Sequence, residues 1–295
     1  MTTPAVCVIG DALIDELRWP SGAEEHVGGA GLNVAVGLTR LRVKASLVAM
    51  VGLDRAGEEI RAFLASFGVA LCATDVPVSA RAVSDRAAGE PHYVFNEAAR
   101  NRRVSFDPRQ RAELDDASLV VVSSFSLDDA AQTELLADSV TDSRMRLVVD
   151  PNPRADLIVD VDAFRAGFES VAARSLLVKI GDEDARLLYG EPLGVVARRL
   201  LELGPSVVLA TEGAAGASIH LASGSTVHRP IHPMAAPVVD TMGAGDATLA
   251  SVTATLIRDG LPEAPEQAAR LLDTAMAIAA ATCRAPGALL RLPEQ

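Results

Sequence analysis

Aromatic side chains are scarce in this chain: of 295 residues, 3% are Phe, Trp or Tyr, with a single Trp and two Tyr. A core without large rings must be filled by Ala, Val and Leu, which suits helices packed on a parallel sheet. Cysteine is equally sparse. Cys7, Cys72 and Cys283 are odd in number and far apart, which excludes a disulfide framework and metal-ligand spacing and leaves buried, reduced thiols. No apolar run is long enough to span a bilayer, the most apolar stretch near the end being "AMAIAAATC". The opening "MTTPAVCVIGD" lacks the basic and apolar regions of a secretory leader, so a cytoplasmic protein is expected. Positive charge is also short, with 27 Lys and Arg against 39 Asp and Glu and a net charge of −12. No Lys/Arg cluster supplies the basic face of a nucleic-acid binder. The basic pieces "RNRR" and "DPRQR", between Arg100 and Arg111, read as solvated loop or lid surface. No nucleic-acid or membrane partner is expected. An anionic small molecule stays open, because local amides and a metal can overrule net charge.

What is present is a rhythm. "AVCVIG" ends a short apolar run at Gly10, and "AGLNVAVGLTRL" (Ala30 to Leu41) has helical spacing behind a glycine turn. "ASLVAMVG" reads as a strand and "AGEEIRAFLASFGV" as an amphipathic helix stopped at Gly68. Strand–helix–strand–helix order favours a parallel sheet covered on both faces. From Ala70 to Asp107 the rhythm breaks into short extended pieces with a "GEP" turn at 89–91, the natural candidate for a small antiparallel lid, joined by residues 16–26. Rhythm returns with "SLVVVSS", "DDAAQTELLADSV", "RLVVDPNP", "SLLVKI", two helical stretches, and the strands "SVVLATEG" and "GASIHLAS". Two helices, Asp246 to Arg258 and Pro265 to Cys283, finish the chain. One large α/β domain results.

Ligands of open α/β sheets bind beyond the carboxyl ends of the strands, and the polar and glycine-rich residues fall there. Asp11 and Asp15 follow the first strand, and Gly28, Gly29, Gly31 and Asn33 precede the first helix. Asp150 and Asn152 follow "RLVV", Lys179 and "GDED" follow "SLLV", and Thr211, Gly213 and Gly216 follow "SVVLA". The stretch "VVDTMGAGDATLASVTATL" (238–256) sets Gly243, Ala244 and Gly245 before Asp246 at a helix start. Small residues there leave backbone N–H groups uncovered, and a helix N-terminus attracts negative charge. The pattern suggests an anion site with a carboxylate base beside it.

These stretches resemble the ribokinase-like (PfkB) carbohydrate kinases over most of the chain. "VGGAGLNVAVGLTRL" is similar to the family's GG-x-x-x-N-x-A signature, and "DTMGAGDATLASVTATL" to its D-T-x-G-A-G-D signature. "VGLDRAG", "DPNPR", "TEGAAG" and "RAPGA" fall where members carry similar pieces, and "GDALID" with "DPNPR" is nearest the fructokinase and 2-keto-3-deoxygluconate kinase branch. The resemblance implies a three-layer α/β sandwich over 1–295, with a central, mostly parallel sheet and an inserted β-sheet lid at about 16–26 and 70–107. It implies ATP-dependent phosphorylation of a hydroxyl of a small sugar or sugar acid, with Mg²⁺ and, in some members, K⁺. Asp246 would be the general base, and the amides of Gly243, Ala244 and Gly245 an anion hole. Asp15, Gly28, Gly29 and Asn33 would hold the sugar beside Asp246. Lys179, Thr211, Gly213, Gly216, Gly245, Gly287 and Ala288 would meet ATP. Asp240, with the Met242 backbone, lies where some members bind a monovalent cation. Members often carry N-x-x-E as an outer support for Mg²⁺; here Gly181 and Asp184 stand in those places. Members also often pair through their lids, so a homodimer is implied.

Plainer readings stand beside these. Asp246 could be a helix cap, D-P-N-P (with Asn152 and Arg154) a turn, and Lys179 a snorkelling strand-end lysine. Asp15 could cap a turn, and Tyr93 and Phe95 could pack within the lid or roof the sugar. The five histidines are scattered without metal spacing. The rival functions are a ribose or nucleoside kinase, mildly disfavoured by the few aromatics, and a non-catalytic sugar or nucleotide sensor of the same fold.

Overall fold

A computed structural model describes residues 5–19, 22–85, 92–140 and 146–293. The "GEP" turn at 89–91 and the side chain of Tyr93 lie outside the described residues. The chain begins with β1 (Ala5–Gly10), β2 (Leu13–Trp19), β3 (Gly22–Gly28), α1 (Ala30–Arg40), β4 (Lys44–Gly52), α2 (Arg55–Ser66) and β5 (Ala70–Val76). It continues through β6 (Arg81–Asp85), β7 (His92–Phe95), α3 (Glu97–Arg100), α4 (Pro108–Asp116), β8 (Leu119–Ser123), α5 (Ala130–Ser139) and β9 (Leu147–Asp150). Then follow α6 (Val161–Ala172), β10 (Leu177–Gly181), α7 (Asp182–Tyr189), α8 (Leu193–Leu203) and β11 (Val207–Thr211). The last elements are β12 (Ala217–Leu221), β13 (Thr226–Arg229), α9 (Ala244–Asp259) and α10 (Pro265–Thr282).

Among the described residues, nine strands form one sheet in the order β13-β12-β11-β10-β9-β8-β1-β4-β5. Pairing is parallel from β5 to β11 and antiparallel from β11 to β13. Interior strands are buried on both faces. On β1, Val6 and Val8 pack into the layer of α1, α9 and α10, whereas Cys7 and Ile9 pack into the opposite layer with Phe164 and Phe168 of α6. The core is aliphatic, as the composition requires, and all three cysteines are buried and free. No helix among the described residues is long and apolar enough to cross a membrane.

The chain leaves β1 to build β4 and β5 on one side and β8 onward on the other, so the sheet's switch point lies between β1 and β8. A Cβ on Gly10 at that point would sit 2.3 Å from the Ser123 carbonyl oxygen, so only glycine lets the two strand ends close up. Next door, Ser124 and Asn152 hold positive φ (55° and 40°) just beyond β8 and β9. Such strain in residues other than glycine collects at functional sites.

A second sheet of four strands, β3-β2-β6-β7, stands apart. Its outer pairs are antiparallel, and β2 and β6 run parallel. The lid expected at 70–107 starts too early. Residues Ala70–Val76 pair with β4 and form the edge of the large sheet. An edge strand is buried on one side only, so its alternation imitates a lid strand. The basic stretch is corrected in part. Arg100, Arg103 and Arg109 are exposed as expected, but Asp107 and Gln110 form a capping box that starts α4, with Gln110 buried against Cys72 and Thr74, and Arg102 is half-buried.

Candidate active site

Two helix N-termini meet beyond the strand ends. Helix α1 starts at Gly29, whose φ of 110° and tight approach to Asp11 and Ala12 exclude a side chain, and Asn33 lies in its first turn. Helix α9 starts at Gly243, with φ 74°, and carries Asp246 in its first turn. The helices pack together, and the Asn33 Nδ2 donates to Asp246 Oδ2 at 2.9 Å. Asn33 Oδ1 is buried without a partner, free to accept from a ligand. Burial pushes the Asp246 carboxyl up to about 6, against the Asn33 hydrogen bond, which lowers it.

Asp15 on β2 is pushed up to about 7, first by burial and then by the negative charge of Asp11; Arg154 opposes, and Asp246 adds to the rise. Gly28 leaves the space: a Cβ there would lie 2.2 Å from Asp15 Oδ2. The Asp11 carboxylate accepts from Gly31 N at 3.0 Å and Ser124 Oγ at 3.2 Å. Thus Asp15, Gly28, Gly29, Asn33 and Asp246 come together as one wall.

Beneath α9 lies a buried ion pair, in which Lys179 Nζ donates to Asp150 Oδ2 at 2.8 Å. Burial alone would depress the ammonium, but Asp150, Asp184 and Asp246 together hold it above its ordinary value. A Cβ on Gly245 would sit 3.5 Å from Lys179 Nζ, so the ammonium lies directly under the G-A-G turn. In that turn the N–H groups of Gly243 and Gly245 make no hydrogen bond to a described residue, and Ala244 N donates a long bond (3.3 Å) to Thr241 O. Two of the three expected amides are therefore free for an anion.

On the far side, Gly181 pairs in register with Thr211, and Asp184 Oδ2 accepts from Gly181 N at 2.7 Å. Asp184 thus serves its own helix start while remaining close enough to bias Lys179; burial raises its carboxyl. Gly213 opens an exposed turn, and Gly216 is held by close packing on Arg229 and Pro230. Ala288 packs on Gly243, where a Cβ would meet the Ala288 carbonyl oxygen at 2.0 Å, so the Gly287–Ala288 loop braces the G-A-G turn. Asp240 uses both carboxylate oxygens for this brace, accepting from Met242 N and Gly287 N.

Among the described residues, no group of three or more His, Cys, Asp or Glu could hold a metal by itself. Asp150 Oδ1 is nevertheless buried without a partner beside Lys179, and Asp184 adds a second carboxylate near the ammonium. That donor set fits a Mg²⁺ held mostly by phosphate oxygens and water. Sequence patterns did not single out Arg102 or Ser124. Both come from loops with no periodic signal, and only the packing brings them beside Asp11.

The pfkB family carbohydrate kinase model matches residues 5–295. The chain belongs to this family. The fructokinase of Klebsiella pneumoniae is 28% identical over 300 residues, 98% of this chain and 96% of that one. The fructokinase of Rhizobium leguminosarum bv. trifolii is 31% identical over 271 residues, 85% and 79% of the two chains. The crystal structure of a fructokinase with bound ATP from Xylella fastidiosa superposes with a TM-score of 0.85 at 22% identity, covering 97% of this chain and 94% of that one. The pfkB fold explains the topology: a large, mostly parallel sheet between helical layers and a small separate sheet.

Proposed function

We propose that this pfkB kinase transfers the γ-phosphoryl group of ATP to a hydroxyl of a small sugar or sugar acid, fructose or a 2-keto-3-deoxy sugar acid being favoured, with Asp246 as the general base. The observation that carries this reading is the Asn33–Asp246 hydrogen bond at the meeting of two helix N-termini. The hydroxyl oxygen forms a bond to phosphorus, the bond from phosphorus to the ADP oxygen breaks, and the hydroxyl proton passes to Asp246. Asn33 keeps the carboxylate ionised and oriented. The free amides of Gly243 and Gly245 face the charge that develops on the transferred group, with the Lys179 ammonium behind them. Asp15 accepts from sugar hydroxyls, and Gly28 and Gly29 let the sugar lie against the backbone.

ATP lies along Thr211, Gly213, Gly216, Gly245, Gly287 and Ala288 in this reading. Asp150 and Asp184 would hold Mg²⁺, which would supply neutralisation of phosphate charge. A K⁺ site at Asp240 would use carbonyls around its braced loop. The small sheet acts as the lid that excludes water. Pairing of two copies through that sheet would be largely polar: Val94 on β7 is its exposed large apolar side chain among those described, and β3 at the opposite edge exposes Glu24, Glu25 and His26. Sedimentation at low and high salt tests it.

The central experiment measures ADP release from Mg·ATP against a panel of sugars, sugar acids and nucleosides, with Asp246→Asn in parallel. One acceptor should drive turnover, and the substitution should cut it by about 10²–10⁴-fold. ATP or sugar binding without turnover for any acceptor would favour a sensor.

A further inference from the structure

At the switch point between β1 and β8 lies a small cavity of about 30 Å³, room for a group the size of a carboxylate. Asp11, Ser124 and Arg102 supply its polar end, and Leu13, Met50 and Leu157 its apolar wall. Neither Asp15 nor Asp246 lines it. It adjoins their site through Asp11, whose charge is felt at Asp15.

Arg102 is the anomaly in this cavity. Its Nε is buried with no hydrogen-bond partner. Its one side-chain hydrogen bond among the described residues runs from Nη1 to Ala99 O at 3.4 Å, and no carboxylate of a described residue lies within ion-pairing distance. The nearby acids are occupied. Asp11 accepts from Gly31 N and Ser124 Oγ, and Asp128 Oδ2 accepts from Val159 N at 2.7 Å. A guanidinium carries five N–H donors in a planar fork and no acceptor. Burying one without partners is costly, so the cavity favours a group rich in acceptors.

Charge balance points the same way. Arg154 also bears on Asp11, Asp15 and Asp246, is exposed, and has no ion pair among the described residues; its one hydrogen bond goes to the neighbouring Pro153 O. Two unpaired guanidinium groups therefore flank Asp11, while Asp11 and Asp15 are both driven towards their neutral forms by burial.

We propose that Arg102 determines acceptor specificity by pairing with an anionic group of the sugar, a carboxylate or a phosphate, so that acidic sugars are preferred over neutral ones. This rests on the sugar-kinase reading above.

The test uses the full chain with Mg·ATP and three acceptors: fructose, 2-keto-3-deoxygluconate and ribose 1-phosphate, the two acids separating carboxylate from phosphate. One acid should exceed fructose in kcat/KM. Arg102→Gln should lower that acid-to-fructose ratio by about 10- to 100-fold, the worth of a charge-assisted hydrogen bond, chiefly through KM, and Arg102→Lys should restore part of it. An unchanged ratio, or fructose preferred by the parent protein, overturns the proposal. Calorimetric titration of the two acids without ATP separates this from failure of the kinase reading. An acid bound more tightly by the parent than by Arg102→Gln supports the pairing even where nothing turns over. Equal binding, with both proteins melting at the same temperature, overturns it.

Discussion

The Asn33 amide and the Asp246 carboxylate, 213 positions apart in sequence, meet at 2.9 Å across the first turns of two packed helices. The bond stabilises the ionised carboxylate, working against the burial that lifts it to about 6. Removing it with Asn33→Ala should therefore move the acidic limb of the kcat/KM–pH profile above about pH 6, because that limb reports the base of the free enzyme. Turnover measured from pH 5 to 9 checks this. A limb that stays in place would mean that a group other than Asp246 titrates.

Asp15 has a consequence for stability. Its folded value of about 7 lies above the ordinary 3.8, so between those pH values the folded state holds more protons than the unfolded one. Stability from this group is present below about pH 4 and is lost as pH rises through 7. Asp15→Asn should melt like the parent protein near pH 4 and be more stable at pH 8. The gain should be on the order of 1–2 kcal/mol once solvent screening is allowed for. Melting curves at the two pH values decide it, and a variant less stable at pH 8 would contradict the burial argument.

Glycine plays two different parts in the G-A-G turn. At Gly243 a methyl group would meet the Ala288 carbonyl oxygen at 2.0 Å in a backbone with φ 74°. Gly243→Ala should cost about 1–3 kcal/mol in strain, with turnover falling alongside as the brace shifts. At Gly245 the nearest atom to the added methyl is Lys179 Nζ at 3.5 Å, an ordinary contact. Gly245→Ala should leave stability within about 0.5 kcal/mol and still lower kcat by about 10-fold or more, by crowding the phosphoryl position. Denaturant titration and steady-state kinetics on both variants separate the roles.

The large sheet was legible because its interior strands are buried on both faces and read as unbroken apolar runs, such as "LVVVS" on β8 and "VVLAT" on β11. The G-A-G-D turn and Asn33 were legible because a helix start has local chemistry. Strand β5 was misread because an edge position gives alternation, and helix α6 passed unnoticed between two strands. Arg102 looked like solvated surface because burial of a loop arginine depends on Asp11 and the cavity around it, which no local pattern encodes. The Lys179–Asp150 pair joins two neighbouring strands whose adjacency follows only from the sheet order.

That pair allows structure and electrostatics to be separated. Both side chains are almost fully buried, at 6% and 0% exposure, so Lys179→Met strands the Asp150 carboxylate and should destabilise the protein by about 3–5 kcal/mol. Removing both charges with Lys179→Met and Asp150→Leu leaves no uncompensated ion and should recover most of that loss. Turnover should not recover with it. The ammonium under Gly245 adds positive potential where the transferred phosphoryl group gathers negative charge, and the double variant lacks it. A double variant that regained both stability and activity would reduce the pair to scaffolding. One that regained stability alone would place the pair in the phosphoryl site, through the Lys179 charge or through the Asp150 carboxylate proposed for Mg²⁺.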